Sequence, residues 1–166
     1  MSAGAKDPLL AVCKDLDRLA PAFRAAVEQA LAECNAAKGA NLQAMVYETW
    51  RSPQLAALYY ERGRSIKPPY STVTNARDNM ESWHGYGLAV DVVHATLFWK
   101  PPQGPAWFSS VAAIFKKHGC NWGGDWKKPD PPHFQWARCP PSPSIQARTL
   151  FNEGGPQAVW QVAGAG

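Results

Sequence analysis

Apolar residues recur at helical spacing at the beginning of the chain. Asp7 and Pro8 are typical of a helix start, since a capping acceptor is followed by a proline at the first helical position. An apolar face over residues 9–19 then predicts a first short helix. Pro21 begins a second apolar stripe, which ends near a lysine and a glycine at 38–39 and predicts a second helix with an ordinary core face.

The pattern then changes from helical spacing to alternation. Residues 42–49 are rich in β-formers and alternate in part, which predicts a strand. Ser52 and Pro53 are typical of a helix start, and Gly63 of its end. Arg51 therefore lies at a strand-to-helix junction, from which a side chain can project into a cleft.

A long polar segment precedes the next apolar run. Residues 64–81 carry prolines, serines, threonines and asparagines without a clear period, which predicts a long loop of the kind that often borders a binding site. Residues 87–93 are mostly apolar and contain one acid, Asp91. A buried strand explains this run best, and the carboxylate within it needs a partner.

The last part of the chain predicts a helix, a specialised segment and a tail. Apolar positions over 107–115 predict the helix, and residues 121–136 combine turn residues with three tryptophans before a strand-like ending at 133–136. Residues 144–166 are too few for a second domain, so we expect a helical tail. Packing on the core is favoured over contact with a membrane surface.

The length of 166 residues suits a single domain over 1–166 with one core. No apolar run approaches the roughly 20 residues of a membrane-spanning helix, and residues 1–7 lack the apolar part of a signal peptide. We therefore expect a soluble cytoplasmic product, without stable membrane insertion.

The charge and the cysteines change this picture little. A net charge of +4 weakly favours an anionic partner, and a cell-wall polymer suits it as well as nucleic acid, for which no base-reading module is present. The four cysteines contain no C-x-x-C pair and are interpreted as thiols. A two-disulfide framework is the alternative that would fit an oxidising compartment.

Three side chains suit a divalent metal: His84, Asp91 and His133. Two histidines and a carboxylate meet the need of a hydrolytic zinc site, which keeps a fourth position open for water. Asp130 is near enough to His133 to act as a general base. Arg51 supplies a permanent cation for a developing oxyanion. His94 and His118 are interpreted as ordinary hydrogen-bonded histidines.

These residues resemble a motif of the zinc peptidases of the VanY/VanX type, whose phage relatives are the L-alanyl-D-glutamate endopeptidase endolysins. The pattern Ser-x-His-x-x-Gly-x-Ala-x-Asp is complete at Ser82, His84, Gly87, Ala89 and Asp91. Five fixed positions within ten residues make a specific match. The chain therefore resembles this superfamily, and the endolysin branch most.

Two further elements extend the resemblance. Asp130 and His133 answer to the family's Asp-x-x-His-Phe, preceded by the Gly-Gly-Asp-Trp of 123–126 that often accompanies it in the endolysin branch. A looser element, an arginine-led helix, is matched by Arg51 and Gln54 with Glu48 three residues before the arginine. The glycine often found between that glutamate and the arginine is absent here.

The resemblance implies a fold and a set of roles. The expected fold is α+β, a small antiparallel sheet flanked by helices, as in Hedgehog and D,D-peptidase domains. The implied roles are zinc ligation by His84, Asp91 and His133, general base catalysis by Asp130, polarisation of the scissile carbonyl by Arg51, and substrate binding by Ser82 and Gln54.

The function expected from this resemblance is that of a phage endolysin that cuts the L-Ala/D-Glu bond of peptidoglycan stem peptides during host lysis. A D-alanyl-D-alanine carboxypeptidase or dipeptidase shares the same zinc site and is the first alternative. A non-catalytic zinc-containing binding module of the Hedgehog kind is the second. We expect a monomer that binds peptidoglycan and no nucleic acid.

Overall fold

A four-stranded antiparallel sheet holds the central part of the chain. The structure, a computed structural model, describes residues 7–36, 38, 41–66, 72 and 74–166. The strands of this sheet are β1 (Ala44–Glu48), β2 (Ala89–His94), β3 (Cys120–Trp122) and β4 (His133–Trp136). They lie in the order β1-β2-β4-β3. The two central strands therefore come from the two segments that carry the candidate metal ligands.

Four α-helices accompany the sheet. They are α1 (Pro21–Cys34), α2 (Pro53–Glu61), α3 (Pro105–Lys117) and α4 (Ile145–Val162). Ser52 caps α2 by accepting a hydrogen bond from Leu55 N, as its position before a proline predicts. The expected α+β class, a small antiparallel sheet flanked by helices, is confirmed.

The two faces of the sheet have different neighbours. One face contributes Val90, Val92 and Phe134, all fully buried, to the main hydrophobic core that also includes α1 and α3. Phe134 packs against Phe115 of α3 with ring centroids 4.4 Å apart. Because side chains alternate along a strand, the residues between these core positions point to the opposite face. Asp91 and His133 are among them.

The prediction of a first helix over residues 9–19 is wrong. Residues 9–19 form two short 3₁₀ helices, Pro8–Leu10 and Leu16–Arg18, with extended chain between them. The carbonyl of Cys13 accepts hydrogen bonds from the Thr49 backbone and hydroxyl, and that of Asp15 accepts one from the hydroxyl. Tertiary bonds therefore hold carbonyls that a continuous helix would have used.

One helix boundary and one strand also differ from the prediction. The second helix ends at Cys34, short of 38–39, because the Asn35 side chain turns back and exchanges two hydrogen bonds with the Ala44 backbone. Gly39 lies outside the described residues, as do parts of the predicted 64–81 loop. Strand β3 was not predicted, since its three residues fall within a turn-rich segment.

The C-terminal helix packs against the segment that leads into β2. Helix α4 bends at Gly155 and Pro156, and beyond the bend Trp160 donates its indole N–H to the Tyr86 carbonyl at 2.6 Å. Ile145 and Val162 are exposed, so these two apolar positions of the tail do not contribute to the core. Among the described helices, none is both long and apolar enough to cross a membrane.

The chain is closely packed around Gly87, at the junction that leads into β2. The φ of Gly87 is +71°, and a Cβ there would overlap the Arg18 carbonyl oxygen. Gly119, which follows α3, has a φ of +87°, but a Cβ at that position would meet only the Trp136 ring, at the ordinary contact distance of 3.8 Å. Alanine at either position costs about 1–2 kcal/mol of backbone strain, and at Gly87 the steric overlap adds about 1–3 kcal/mol.

We therefore expect Gly87→Ala to lower the free energy of unfolding clearly more than Gly119→Ala does. Urea denaturation of both variants beside the wild type measures the difference. Equal losses for the two variants would contradict the close packing of Arg18 on this turn.

Candidate metal centre

The residues of the first motif each have a local structural task. The Ser82 hydroxyl accepts a hydrogen bond from His84 N at 3.4 Å and caps the short 3₁₀ helix Trp83–Tyr86. Gly87 follows in the left-handed conformation and directs the chain into β2. This compact helix-to-strand turn places the side chains of His84 and Asp91 on the same side of the sheet.

The second motif places His133 beside them. Strand β4 pairs with β2 so that His133 lies directly opposite Asp91. The loop before β4 is held by Gly123, whose carbonyl accepts a hydrogen bond from Asp130 N at 2.9 Å. A Cβ on Gly123 would lie 2.5 Å from the Asp130 carbonyl oxygen and 3.1 Å from His133 Cβ. The glycine therefore allows the loop to close over the strand.

The three candidate ligands meet at one point. His84 Nε2 lies 3.3 Å and His133 Nδ1 3.7 Å from the same Asp91 oxygen, Oδ1. One ligand atom from each residue can be chosen so that all lie within 4.8 Å of one another. Both histidines are buried, and their rings meet edge to face at a centroid distance of 5.1 Å.

Hydrogen bonds on the far side of each ring determine which nitrogen faces Asp91. His84 Nδ1 lies 2.8 Å from the Thr49 carbonyl oxygen, which can only accept, so Nδ1 carries the proton. The Gln135 amide donates to the Pro140 carbonyl at 2.8 Å, which turns its oxygen toward His133 Nε2, also at 2.8 Å. In the neutral rings, His84 Nε2 and His133 Nδ1 therefore carry lone pairs.

This donor set fits a divalent cation. Two nitrogen lone pairs and a carboxylate converge without a hydrogen-bond donor among them, and backing of a ligating histidine by a carbonyl or amide oxygen is the usual arrangement in metal sites. Two nitrogens and one oxygen are the ligands of a catalytic zinc site. Zinc is therefore the metal that His84, Asp91 and His133 suit.

Burial and neighbouring charges both shift the pKa values of His84 and Asp91. Burial lowers the pKa of His84, but the Asp91 carboxylate outweighs this effect and leaves the pKa above its ordinary value. Burial raises the pKa of Asp91, yet His84 and His133 outweigh it and hold the pKa well below its usual range. The carboxylate is thus kept ionised, and a positive charge is favoured beside it.

A β-bulge places the ion pair of Glu48 and Arg51 next to Asp91. The register between β1 and β2 shifts after Val46, so that Glu48, rather than Tyr47, lies opposite Asp91. Glu48 accepts two hydrogen bonds from Arg51, from Nε at 2.8 Å and from Nη2 at 3.1 Å. Both side chains are buried. Arg51 is thereby held at the edge of the metal cluster in a bidentate pair.

Asp130 lies at the exposed rim of the cleft, in the loop before His133. Nearby protein atoms shield its carboxyl from water, and this shielding together with the Asp91 charge raises the pKa of Asp130 above its ordinary value. A carboxyl with a raised pKa is suited to taking up and releasing a proton. Trp126 packs on His133 at a ring distance of 4.9 Å and closes this side of the site.

The cluster opens into a cleft of about 760 Å³. Aromatic, cationic and anionic side chains all line this cleft. They include Tyr47, Glu48, Arg51, Tyr59, Ser82, His84, Asp91, Trp99, Trp126, Asp130, His133 and Gln135. The volume is that of a site for a molecule of small-peptide size.

Six of the seven predicted site residues line this cleft, and one does not. Ser82 lines it and also caps the turn that carries His84. Gln54 is exposed in the first turn of α2 and is not among the lining residues, so its role in substrate binding stays a prediction.

Three supporting residues had no predicted role: Glu48, Thr49 and Gln135. Glu48 was noted only as part of a motif, and its spacing of three residues before Arg51 is the signal that would have suggested the ion pair. Thr49 acts through its backbone carbonyl, which no side-chain pattern can indicate. Gln135 follows His133 by two residues and so shares its face of β4, which is a usable signal.

Comparison with known proteins agrees with these motifs. A family described as D-alanyl-D-alanine carboxypeptidase matches residues 75–136. The peptidoglycan L-alanyl-D-glutamate endopeptidase CwlK of Bacillus subtilis (strain 168) is 33% identical over 110 residues. That match covers 60% of this chain and 64% of the length of CwlK.

A solved structure is also similar. The L-Ala D-Glu endopeptidase ChiX of Serratia marcescens aligns with a TM-score of 0.47 and 25% identity, over 82% of this chain and 88% of that one. The family match and the relative from Bacillus confirm the resemblance that the motifs predicted: this chain is similar to the VanY/VanX-type peptidases and, among them, to L-alanyl-D-glutamate endopeptidases.

Proposed function

We propose that this protein is a zinc-dependent peptidase that hydrolyses the L-Ala/D-Glu bond of peptidoglycan stem peptides. The observation that carries the proposal is the convergence of one ligand atom each from His84, Asp91 and His133 beside a carboxyl base and a buried arginine, in one cleft. The similarity to CwlK, which is named for cleavage of this bond, supports the choice of substrate. The role in host lysis and the cytoplasmic location stay predictions from the sequence.

In this proposal His84, Asp91 and His133 hold the zinc ion. When bound, zinc supplies a Lewis acid that polarises the scissile carbonyl and acidifies water. The Thr49 carbonyl and the Gln135 amide keep the two rings oriented for this task. Because both rings are buried, the ligand geometry needs little rearrangement when the ion enters.

Asp130 and Arg51 perform the proton transfer and the charge stabilisation. The Asp130 carboxylate accepts a proton from the attacking water and returns it to the amine of the departing residue. The Arg51 guanidinium uses Nε and one Nη2 hydrogen for Glu48, which leaves the other donors of the fork for the carbonyl oxygen of the substrate. As that oxygen gains negative charge, the interaction strengthens, which lowers the barrier.

A D-alanyl-D-alanine carboxypeptidase is the second candidate. It is favoured by the description of the family that matches residues 75–136. The zinc ligands, Asp130 and Arg51 serve either reaction equally, because they act on the scissile amide and not on the neighbouring residues. A non-catalytic binding module would have no use for a base and a cation placed around the ligands.

Mass spectrometry of digested peptidoglycan separates these candidates. The wild-type protein with zinc is expected to release fragments with D-Glu at a new amino terminus, and a chelator is expected to stop their release. Release of terminal D-Ala alone would establish the carboxypeptidase instead. No product from the zinc-loaded protein would overturn both peptidase candidates.

Replacement of the base tests the assignment of Asp130. We expect Asp130→Asn to lower kcat about 10²–10⁴-fold, since the amide cannot accept the proton, while zinc affinity is retained. Asp125→Asn is the matched control, because Asp125 forms an exposed ion pair with Lys116 at 2.6 Å outside the cleft. Full activity of Asp130→Asn in the same assay would show that another group is the base.

Replacement of Gln135 tests the orientation of His133. Gln135→Leu removes the acceptor of the His133 Nε2–H bond, and we expect it to weaken zinc binding about 10–100-fold. Isothermal titration calorimetry measures the change, with Gln157→Leu, an exposed position on α4, as the control. Unchanged zinc affinity in Gln135→Leu would mean that His133 is not a ligand held in this tautomer.

A further inference from the structure

Seven of the eight tryptophans of this protein fall into two groups, and the eighth, Trp50, lies beneath the Arg18 guanidinium outside the cleft. The members of the first group each donate the indole N–H to a backbone carbonyl and so fasten one part of the fold to another. They are Trp83, Trp107, Trp122, Trp136 and Trp160, with acceptors on Pro140, Leu42, Pro131, Ala163 and Tyr86. Trp99 and Trp126, which line the cleft, donate no such bond to any described residue.

Trp99 is the more exposed of these two tryptophans. It is 47% exposed, although it lies at the cleft that holds the metal cluster. It packs edge to face on Tyr47, with ring centroids 4.7 Å apart. Tyr47 is also contacted by Lys14, whose Nζ lies 5.1 Å from the centre of the ring. A half-exposed indole ring, with an N–H that has no partner among the described residues, is therefore presented at one edge of the cleft.

The turn that carries Trp99 is held firmly. His94 Nδ1 accepts hydrogen bonds from Thr96 N at 3.2 Å and Leu97 N at 3.1 Å. The backbones of His94 and Phe98 exchange two further bonds, at 3.2 and 3.0 Å. The indole is thus positioned before any ligand arrives, which reduces the ordering entropy that binding must overcome.

Tyr47 connects this aromatic pair to the strand that lies beside the metal cluster. It is the extra residue of the β1 bulge, next to Glu48, which lies opposite Asp91. Since consecutive Cα atoms are about 3.8 Å apart and paired strands about 4.8 Å apart, the aromatic pair begins within a few residue lengths of the metal cluster. A group bound to Trp99 would therefore be close enough to the metal cluster to belong to the same substrate.

We propose that Trp99, supported by Tyr47, is a binding platform for the acylated amino sugar to which the stem peptide is attached. The proposal rests on the proposed L-Ala/D-Glu cleavage. The flat apolar face of an indole matches the C–H face of a pyranose ring, and the indole N–H can donate to a sugar hydroxyl or to the acetamido oxygen.

The chemistry of the substrate explains why a sugar platform belongs here. L-Ala is joined directly to the lactyl group of the sugar, so only one residue, about 3.5 Å when extended, separates the scissile bond from that group. An enzyme that cuts this bond must accommodate the sugar beside its metal site. The D-Ala/D-Ala bond lies at the opposite end of the stem peptide, and its hydrolysis gives no reason for such a platform.

A matched pair of substrates tests the platform. The first is N-acetylmuramyl-L-Ala-γ-D-Glu-L-Lys, and the second is the same tripeptide with an acetyl group in place of the muramyl group. We expect Trp99→Ala to lower kcat/KM about tenfold more on the first than on the second, mainly through KM. Trp99→Phe keeps a stacking face and should recover part of the preference. Circular dichroism and thermal melting check that the variants fold.

Leu97→Ala is the control in the same turn. Leu97 is 50% exposed but does not line the cleft, so its replacement should leave the preference for the muramyl substrate unchanged. A second measurement, calorimetric binding of both compounds to zinc-loaded Asp130→Asn, does not depend on turnover. There, too, Trp99→Ala should remove the advantage of the muramyl compound.

The possible results separate the platform from the proposed function. Equal losses on both substrates would show that Trp99 contacts the peptide, and no loss would show that it contacts neither; both results overturn the platform and leave the proposed function intact. If the wild type hydrolyses neither compound, the proposed function fails. Calorimetry then decides the platform by itself, and equal affinity for both compounds overturns it.

Discussion

Convergence of three electron-pair donors on one point is the constraint on which the other features of the site depend. His84 Nε2, His133 Nδ1 and the Asp91 carboxylate face each other in a buried setting, and the hydrogen bonds behind the two rings keep protons on the outer nitrogens. Such an arrangement is unfavourable unless a cation lies between the three groups. A proton shared with Asp91 or a divalent metal meets this requirement, and only the metal also prepares the site for hydrolysis.

Much of the fold serves to hold these donors in place. The sheet gives one face to the hydrophobic core, and the other face carries Glu48, Asp91 and His133 side by side on three neighbouring strands. Gly87 allows the sharp entry into β2, and Gly123 allows the closing loop to approach β4. The ion pair of Glu48 with Arg51 adds a cation beside these residues, and its two hydrogen bonds keep that cation oriented. Rigid strands, rather than loops, therefore position most of the cluster.

Sequence patterns predicted this arrangement where a side chain itself carries the signal. The spacing of His84, Asp91 and His133, together with the buried strand around Asp91, was sufficient to bring these three residues together as a hypothesis. The opposition of Glu48 to Asp91 could not be predicted, because it depends on a bulge that changes the register by one residue. The helix expected over 9–19 failed for a related reason, since its carbonyls are bound by Thr49, which is distant in sequence. Tertiary interactions override local propensity in both places.

X-ray absorption spectroscopy at the zinc edge of the metal-loaded protein would identify the ligands of the metal. We expect one zinc per chain with nitrogen and oxygen neighbours at about 2.0–2.1 Å and the multiple-scattering signature of two imidazole rings. The chain also contains four free cysteines, none of which lines the cleft, so a sulfur ligand would place the metal at another site. A zinc–sulfur distance of about 2.3 Å, or an oxygen-only shell without imidazole scattering, would contradict ligation by His84, Asp91 and His133.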